Sequence, residues 1–195
     1  MPQAPLPPCS VLILAGGRGQ RMGGRDKGLL PWRGLPLVSY AAALIRPLSD
    51  DLIISCNRHP EEYAPYADRL VHDDSPDYPG PLAGIRAGLA VARHPHLLVL
   101  PCDAPLLDRE LLERLLRASA ASPNDVQMLR CGDQWEPLFS VIPVALRAQI
   151  EDAWQRGDRS PRHVFSHLGL HAVDCLAGDP RLANLNTPEL LYDGR

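Results

Sequence analysis

The chain has 195 residues, and 20 Lys and Arg against 23 Asp and Glu leave a net charge of -3 at pH 7. These charges are spread along the sequence, which leaves no basic stripe for a nucleic-acid backbone and no acidic tail, so a nucleic-acid partner is not expected. The apolar runs stop short of the roughly 18 residues a membrane span needs, and no secretory signal opens the chain, so the expectation is a cytoplasmic protein with no membrane partner.

Residues 1–9, MPQAPLPPC, are proline-rich without an apolar period and read as a flexible tail ahead of one domain over 10–195. Strand-length apolar runs follow at 10–15, 51–56, 69–72 and 96–102, with segments of helical period at about 37–46, 60–67, 82–93 and 109–120 between them. The continuous apolar character around Leu12 and Leu98 implies strands buried on both faces, as in a parallel sheet covered by helices. DVQMLR and PLFSVI flank CGDQWE, whose Gly-Asp reads as the turn of an antiparallel pair. Helices at about 144–155 and 161–168, a short strand LHAVD, and a closing helix begun by Thr187 and Pro188 complete the chain. The predicted fold is a three-layer α/β/α domain with a mostly parallel, Rossmann-like sheet. Ligands in such folds sit outside the carboxyl ends of the strands, where the strand order reverses. The five cysteines are scattered without a CxxC pair and are expected to be reduced, forming neither a disulfide nor a zinc knuckle.

The stretch LILAGGRGQRMGGRDKG (12–28) follows the first strand. Gly16, Gly17, Gly19, Gly23 and Gly24 let backbone N–H groups converge on an anion, which predicts a phosphate ligand. Two familiar phosphate loops do not fit. The dinucleotide pattern GxGxxG meets Met22 at its third glycine, and GxxxxGK with Ser or Thr would need lysine at Arg25 and a hydroxyl at Gly28. The glycines would instead approach a triphosphate while Arg18, Arg21 and Lys27 neutralise it, with magnesium held elsewhere. Asp103, emerging at the end of the buried strand LLVLPCD, is the candidate ligand for Mg2+; helix capping ahead of Pro105 is the structural alternative.

LAGGRGQRM, followed by DKGLL and GLPL, resembles the signature of the nucleoside-triphosphate transferases, and most closely that of the molybdenum cofactor guanylyltransferases. The likeness continues through SCNRHPEEY, DDSPDYPGPLAGI, PCDAPLL, EPLFSV, GDRS and NLNTPEL, covering nearly the whole chain after the tail. It implies an enzyme that moves GMP from GTP to molybdenum-molybdopterin, with Mg2+ bound to Asp103 and catalysis resting on Arg21, Lys27 and Asp103. It also implies GTP contacts from Leu14, Ala15, Gly16, Gly17 and Lys27 of the loop, and from Asp74 and Gly84 further on. A single carboxylate accepts both N1–H and the 2-amino group of guanine, and adenine lacks that donor pair; the resemblance gives this role to Asp74, leaving Asp73 and Asp77 as solvated loop acids. The family often carries asparagine where Ser55 stands, so the nucleotide contact falls to Ser55 or Asn57, which share one strand face. Arg159, Asn184 and Asn186 become the molybdopterin-side candidates, and cofactor-delivery proteins or target apoenzymes the protein partners. Ser160 replaces a basic residue of the family pattern, so Arg162 is a further candidate for the acceptor phosphate. His163 and His167 have a zinc-compatible spacing but no third ligand, and helix surface is the expected role. Two alternatives stay open: a related cytidylyl- or sugar-phosphate transferase, and a noncatalytic nucleotide-binding module.

Overall fold

The computed structural model describes residues 5–17, 25–73 and 80–185. Its elements in chain order are β1 (Ser10–Leu14), β2 (Pro31–Trp32), β3 (Leu35–Pro36), α1 (Leu37–Ile45), β4 (Leu52–Ser55), α2 (Pro60–Tyr63), β5 (Arg69–Val71) and α3 (Pro81–Val91). They continue with β6 (His96–Pro101), α4 (Arg109–Ala121), β7 (Val126–Cys131), β8 (Gln134–Pro143), α5 (Arg147–Gln155), α6 (Pro161–Ser166) and β9 (Leu170–Cys175). The closing helix expected after Thr187 lies outside the described residues.

Seven strands form one mostly parallel sheet in the order β5-β4-β1-β6-β8-β7-β9. β1 pairs in parallel with both β4 and β6, β4 with β5, and β7 with β9, while β8 runs antiparallel to its two neighbours. From β1 the chain builds outward through β4 and β5, then returns across β1 to lay down β6, so the strand order reverses at β1. Crossovers of this kind place helices on both faces of a sheet and leave a crevice at the reversal.

Alternation along the strands divides the core in two. Val11, Ile13, Leu98 and Leu100 pack with α1 and α4, through residues such as Val38, Ile45, Leu111 and Leu115. Leu12, Ile53, Leu97 and Val99 face α3, α5 and α6, through Leu82, Ile85, Ile150 and Phe165. The fit on the second face is close: a Cβ at Gly88 would lie 2.7 Å from Leu12 Cδ2. Local signals set the helix starts. The Asp108 carboxylate accepts from the Leu111 amide at 2.9 Å to cap α4, and proline occupies the first turn of α2, α3 and α6.

Four details differ from the sequence reading. The 60–67 helix is one α turn followed by a 3-10 turn at Ala64–Tyr66. The residue expected to end a free tail, Cys9, is 1% exposed, and its carbonyl accepts from Ser49 Oγ at 2.6 Å. β2 and β3 make a small hairpin that the sequence reading lacked, turned by Arg33 and Gly34, both at positive φ. The parallel register of β7 on β9 sets Cys131 opposite Cys175, with Cα atoms 4.8 Å apart, and the two are joined in a disulfide. The expectation of five reduced thiols is thereby corrected: Cys9, Cys56 and Cys102 are free and buried, and the other two are paired by a strand contact that crosses 44 residues of sequence.

Candidate functional site

The carboxyl ends of β1, β4 and β6 open into a cleft of about 440 Å³ at the strand-order reversal. Leu14, Ala15, Gly16 and Gly17 form one side, with Lys27 and Asp103 at the same cleft. Leu138 of β8 adds an apolar wall. The amino end of α3 contributes Gly80, Pro81 and Gly84, and its free N–H groups give that side a partial positive charge. Among the described residues no atom lies within 4 Å of where a Cβ at Gly17 would stand, and Gly17 lines the cleft.

Lys27 Nζ is ion-paired with the Asp103 carboxylate across 76 residues of sequence. Both side chains are largely shielded, at 20% and 10% exposure. Lys27 is set by a 3-10 turn over Lys27–Leu29, and Asp103 by the run of β6 out of the sheet. A carboxylate in this position provides one hard oxygen donor, the number a magnesium ion takes when phosphate and water supply the rest of its shell. Burial, aided by Asp103, pushes Cys102 well above its ordinary range, and burial, aided by Asp26 and Glu61, pushes Cys56 up to about 11.

Ser55 and Asn57 separate clearly. Ser55 is 2% exposed and lines the cleft floor, whereas Asn57 is spent on protein contacts. Its Nδ2 donates to Asp73 Oδ2 at 2.7 Å and reaches the Gly16 carbonyl at 3.5 Å, and its Oδ1 accepts from the Asp73 amide at 3.1 Å. Asp73 therefore departs from its expected role as a solvated loop acid: it lines the cleft, and its Oδ1 is buried without a hydrogen-bond partner among the described residues. Gly84 lines the cleft too, but its missing side chain serves the sheet. A Cβ there would lie 2.7 Å from Leu14 Cδ2 and 2.8 Å from Ser55 Oγ.

Arg58 escaped the sequence reading. Its Nη2 donates to the carbonyls of Gly17 at 3.3 Å and Arg25 at 3.5 Å, the two residues that flank the glycine-rich segment. The signal was its place in SCNRH directly after Asn57.

On the acceptor side the candidates are less concentrated. The Arg159 guanidinium lies 3.8 Å from the Trp154 ring centroid and donates to the Trp154 carbonyl at 2.7 Å. Its own carbonyl would be 3.9 Å from a Cβ at Gly80, which puts the Arg159 backbone at the cleft rim. Asn184 carries a buried Oδ1 without a partner among the described residues, and the adjacent Leu185 amide donates to the Asp103 carbonyl at 3.0 Å. Arg162 is the second residue of α6 and is exposed. Arg21, Asp74 and Asn186 lie outside the described residues. His163 and His167 stack edge to face, with His163 Nδ1 on Asp158 and His167 Nδ1 on the His163 carbonyl. Among the described residues no third ligand joins them.

Residues 11–173 match the model of the MobA-like NTP transferase domain. A protein of Pseudomonas aeruginosa strain LESB58 named molybdenum cofactor guanylyltransferase is 69% identical over 195 residues, covering 100% of this chain and 98% of its own. A protein of the same name from Pseudomonas fluorescens strain SBW25 is 64% identical over 184 residues, covering 94% and 92%. Among solved structures, the molybdopterin-guanine dinucleotide biosynthesis protein A of Archaeoglobus fulgidus shares the fold with a TM-score of 0.76 at 22% identity, over 95% of this chain and 96% of its own. The 2-C-methyl-D-erythritol 4-phosphate cytidylyltransferase of Thermus thermophilus does so with a TM-score of 0.70 at 17% identity, over 96% and 97%.

Proposed function

We propose, for a chain that belongs to the MobA-like NTP transferase family and is a nucleotidyltransferase, that it transfers GMP from GTP to the terminal phosphate of molybdenum-molybdopterin. The products are molybdopterin guanine dinucleotide and pyrophosphate. The observation that carries this reading is the meeting of Lys27 with Asp103 in the cleft at the strand-order reversal. It stands in a chain whose relatives named molybdenum cofactor guanylyltransferase align with it over its full length.

An oxygen of the acceptor's terminal phosphate bonds to the α-phosphorus as the bond to the bridging oxygen on the β side breaks, and pyrophosphate leaves with that electron pair. Little covalent work falls to the protein, so catalysis is positioning and charge neutralisation. Lys27, Arg21 and the backbone N–H groups of Gly16 and Gly17 take up the charge of the triphosphate. The backbone of Leu14 and Ala15 and the hydroxyl of Ser55 receive the nucleoside, Gly84 lets the α3 end close on them, and Asp74 selects guanine. Asn57 acts at one remove, holding Gly16 and Asp73 together. Arg159, Asn184 and Asn186 are assigned to binding the pterin acceptor.

Magnesium fits the donor set, because Asp103 is a shielded carboxylate beside the glycine segment, a hard oxygen donor of the kind the ion takes alongside phosphate oxygens and water. Asp103 would hold the ion, which when bound supplies further neutralisation of the triphosphate. The activity belongs in the cytoplasm, with cofactor-delivery proteins and target apoenzymes as partners.

The test compares GTP with CTP as donors, molybdopterin as acceptor, and mass spectrometry of the product. Guanine dinucleotide formed faster than cytosine dinucleotide is the expected outcome. CTP turnover at an equal or higher rate overturns the guanylyl reading, and GTP binding without turnover overturns the catalytic one.

A further inference from the structure

We infer that Tyr63 is a positioning residue for Lys27, acting from beneath the cleft without touching its contents. This rests on the reading of Lys27 as a triphosphate ligand. Tyr63 ends the short helix α2 and is 0% exposed, and it is not among the residues lining the cleft. Its hydroxyl donates to the carboxylate of Asp26, itself 9% exposed. Its ring lies directly under Gly28: a Cβ there would overlap the hydroxyl and stand 3.0 Å from Cε1 and 3.1 Å from Cζ. One side chain thus fixes both neighbours of Lys27, Asp26 by a hydrogen bond and Gly28 by contact.

Lys27 leaves this platform at the start of the 3-10 turn, where the Leu29 amide donates to the Asp26 carbonyl at 3.2 Å and the Leu30 amide to the Lys27 carbonyl at 3.2 Å. A lysine side chain is long and flexible, and its aim is set chiefly by where its backbone is held. With Asp26 and Gly28 pinned, the ammonium is directed to Asp103. Burial, aided by Cys102 and Asp26, drives the phenol well above its ordinary range, so the hydroxyl keeps its proton and remains a donor. A ring needed only to fill the core would serve as well as phenylalanine; the hydroxyl on Asp26 is what distinguishes the positioning role.

The test is Tyr63→Phe, which keeps the ring. A lost hydrogen bond at this position lowers kcat for GTP with molybdopterin by about tenfold and leaves KM for molybdopterin unchanged. Because Tyr63 acts through Lys27, the same substitution in a Lys27→Ala background has no further effect on the residual rate, read with radiolabelled GTP. Asp26→Asn retains an acceptor for the phenol and is several-fold more active than Asp26→Ala, a comparison that stands if Tyr63→Phe fails to fold. An unchanged kcat in Tyr63→Phe, an equal loss in the Lys27→Ala background, or Asp26→Asn no more active than Asp26→Ala overturns the inference. Wild-type turnover by Lys27→Ala alone instead overturns the reading of Lys27, and the inference with it.

Discussion

The backbone amide of Leu185 donates to the carbonyl of Asp103 over 3.0 Å, fastening the segment that bears Asn184 to the loop that carries the proposed magnesium ligand. Leu185 is 7% exposed and packs against Leu30, Trp32 and Leu37, so the β2–β3 hairpin and the segment bearing Asn184 share one apolar patch. Leu185→Ala should cost about 2 kcal/mol of stability, since a buried leucine loses its contacts and leaves a void. Steady-state kinetics should show a raised KM for molybdopterin, while denaturant unfolding reads the stability loss. A variant with wild-type values in both measurements would contradict the link.

The second expectation concerns Gly84. Alanine there presses on Leu14 and Ser55, both of which line the cleft. Leu14 Cδ2 and Ser55 Oγ must both shift to admit the methyl group, so Gly84→Ala should lose about 1–3 kcal/mol of stability, as overpacked cores do. KM for GTP should rise in the same variant, measured by pyrophosphate release.

At the opposite end of the strands Asp51 is fully buried, and it accepts from the Ser10 hydroxyl, the Arg93 amide and the Arg69 guanidinium. Burial acts to raise its pKa, but the bonds from Ser10, Arg93 and Arg69 outweigh it and hold the carboxyl below its usual range. The folded pKa is therefore below the unfolded one. The stabilisation is complete above the unfolded value of about 4 and is lost as pH falls through the folded value. Asp51→Asn should destabilise the protein by about 3 kcal/mol at pH 7. The gap between the two proteins should narrow in unfolding curves recorded below about pH 4, and a gap constant with pH would contradict the assignment.

Thiol titration checks the pairing of the cysteines. The unfolded, unreduced chain should show three thiols and the reduced chain five, because Cys131 and Cys175 are bonded and Cys9, Cys56 and Cys102 are not. Five thiols before reduction would remove the disulfide.

Much of this architecture was legible in the sequence because its signals are local. SVLILA, LIIS and HLLVLP are apolar on both faces and lie near the parallel strands they predict, and the glycines with Lys27 and Asp103 carry a chemistry that residue type alone suggests. The signals that escaped are of other kinds. The β2–β3 hairpin has two residues per strand with a proline in each, too short and too irregular for an alternation to register. The disulfide, the Tyr63 bond to Asp26 and the Asn57 bonds to Asp73 join residues 16 to 44 positions apart, and only the tertiary fold brings them together: strand pairing for the disulfide and for Asn57 with Asp73, the packing of α2 beneath the Lys27 turn for Tyr63 with Asp26. Asp73 read as a solvated loop acid because charge suggests exposure; its place at the end of β5 turns it inward to Asn57.

Lys27 and Asp103 are proposed to form the transfer centre, with Asp103 as the magnesium ligand. This proposal is tested most directly by magnesium-dependent pyrophosphate release from GTP, with molybdopterin supplied, in the wild type and in Asp103→Ala. The expected outcome is a loss of about a hundredfold to a thousandfold in the variant, as when a group that stabilises the transition-state charge is removed. Release by Asp103→Ala at the wild-type rate would contradict it.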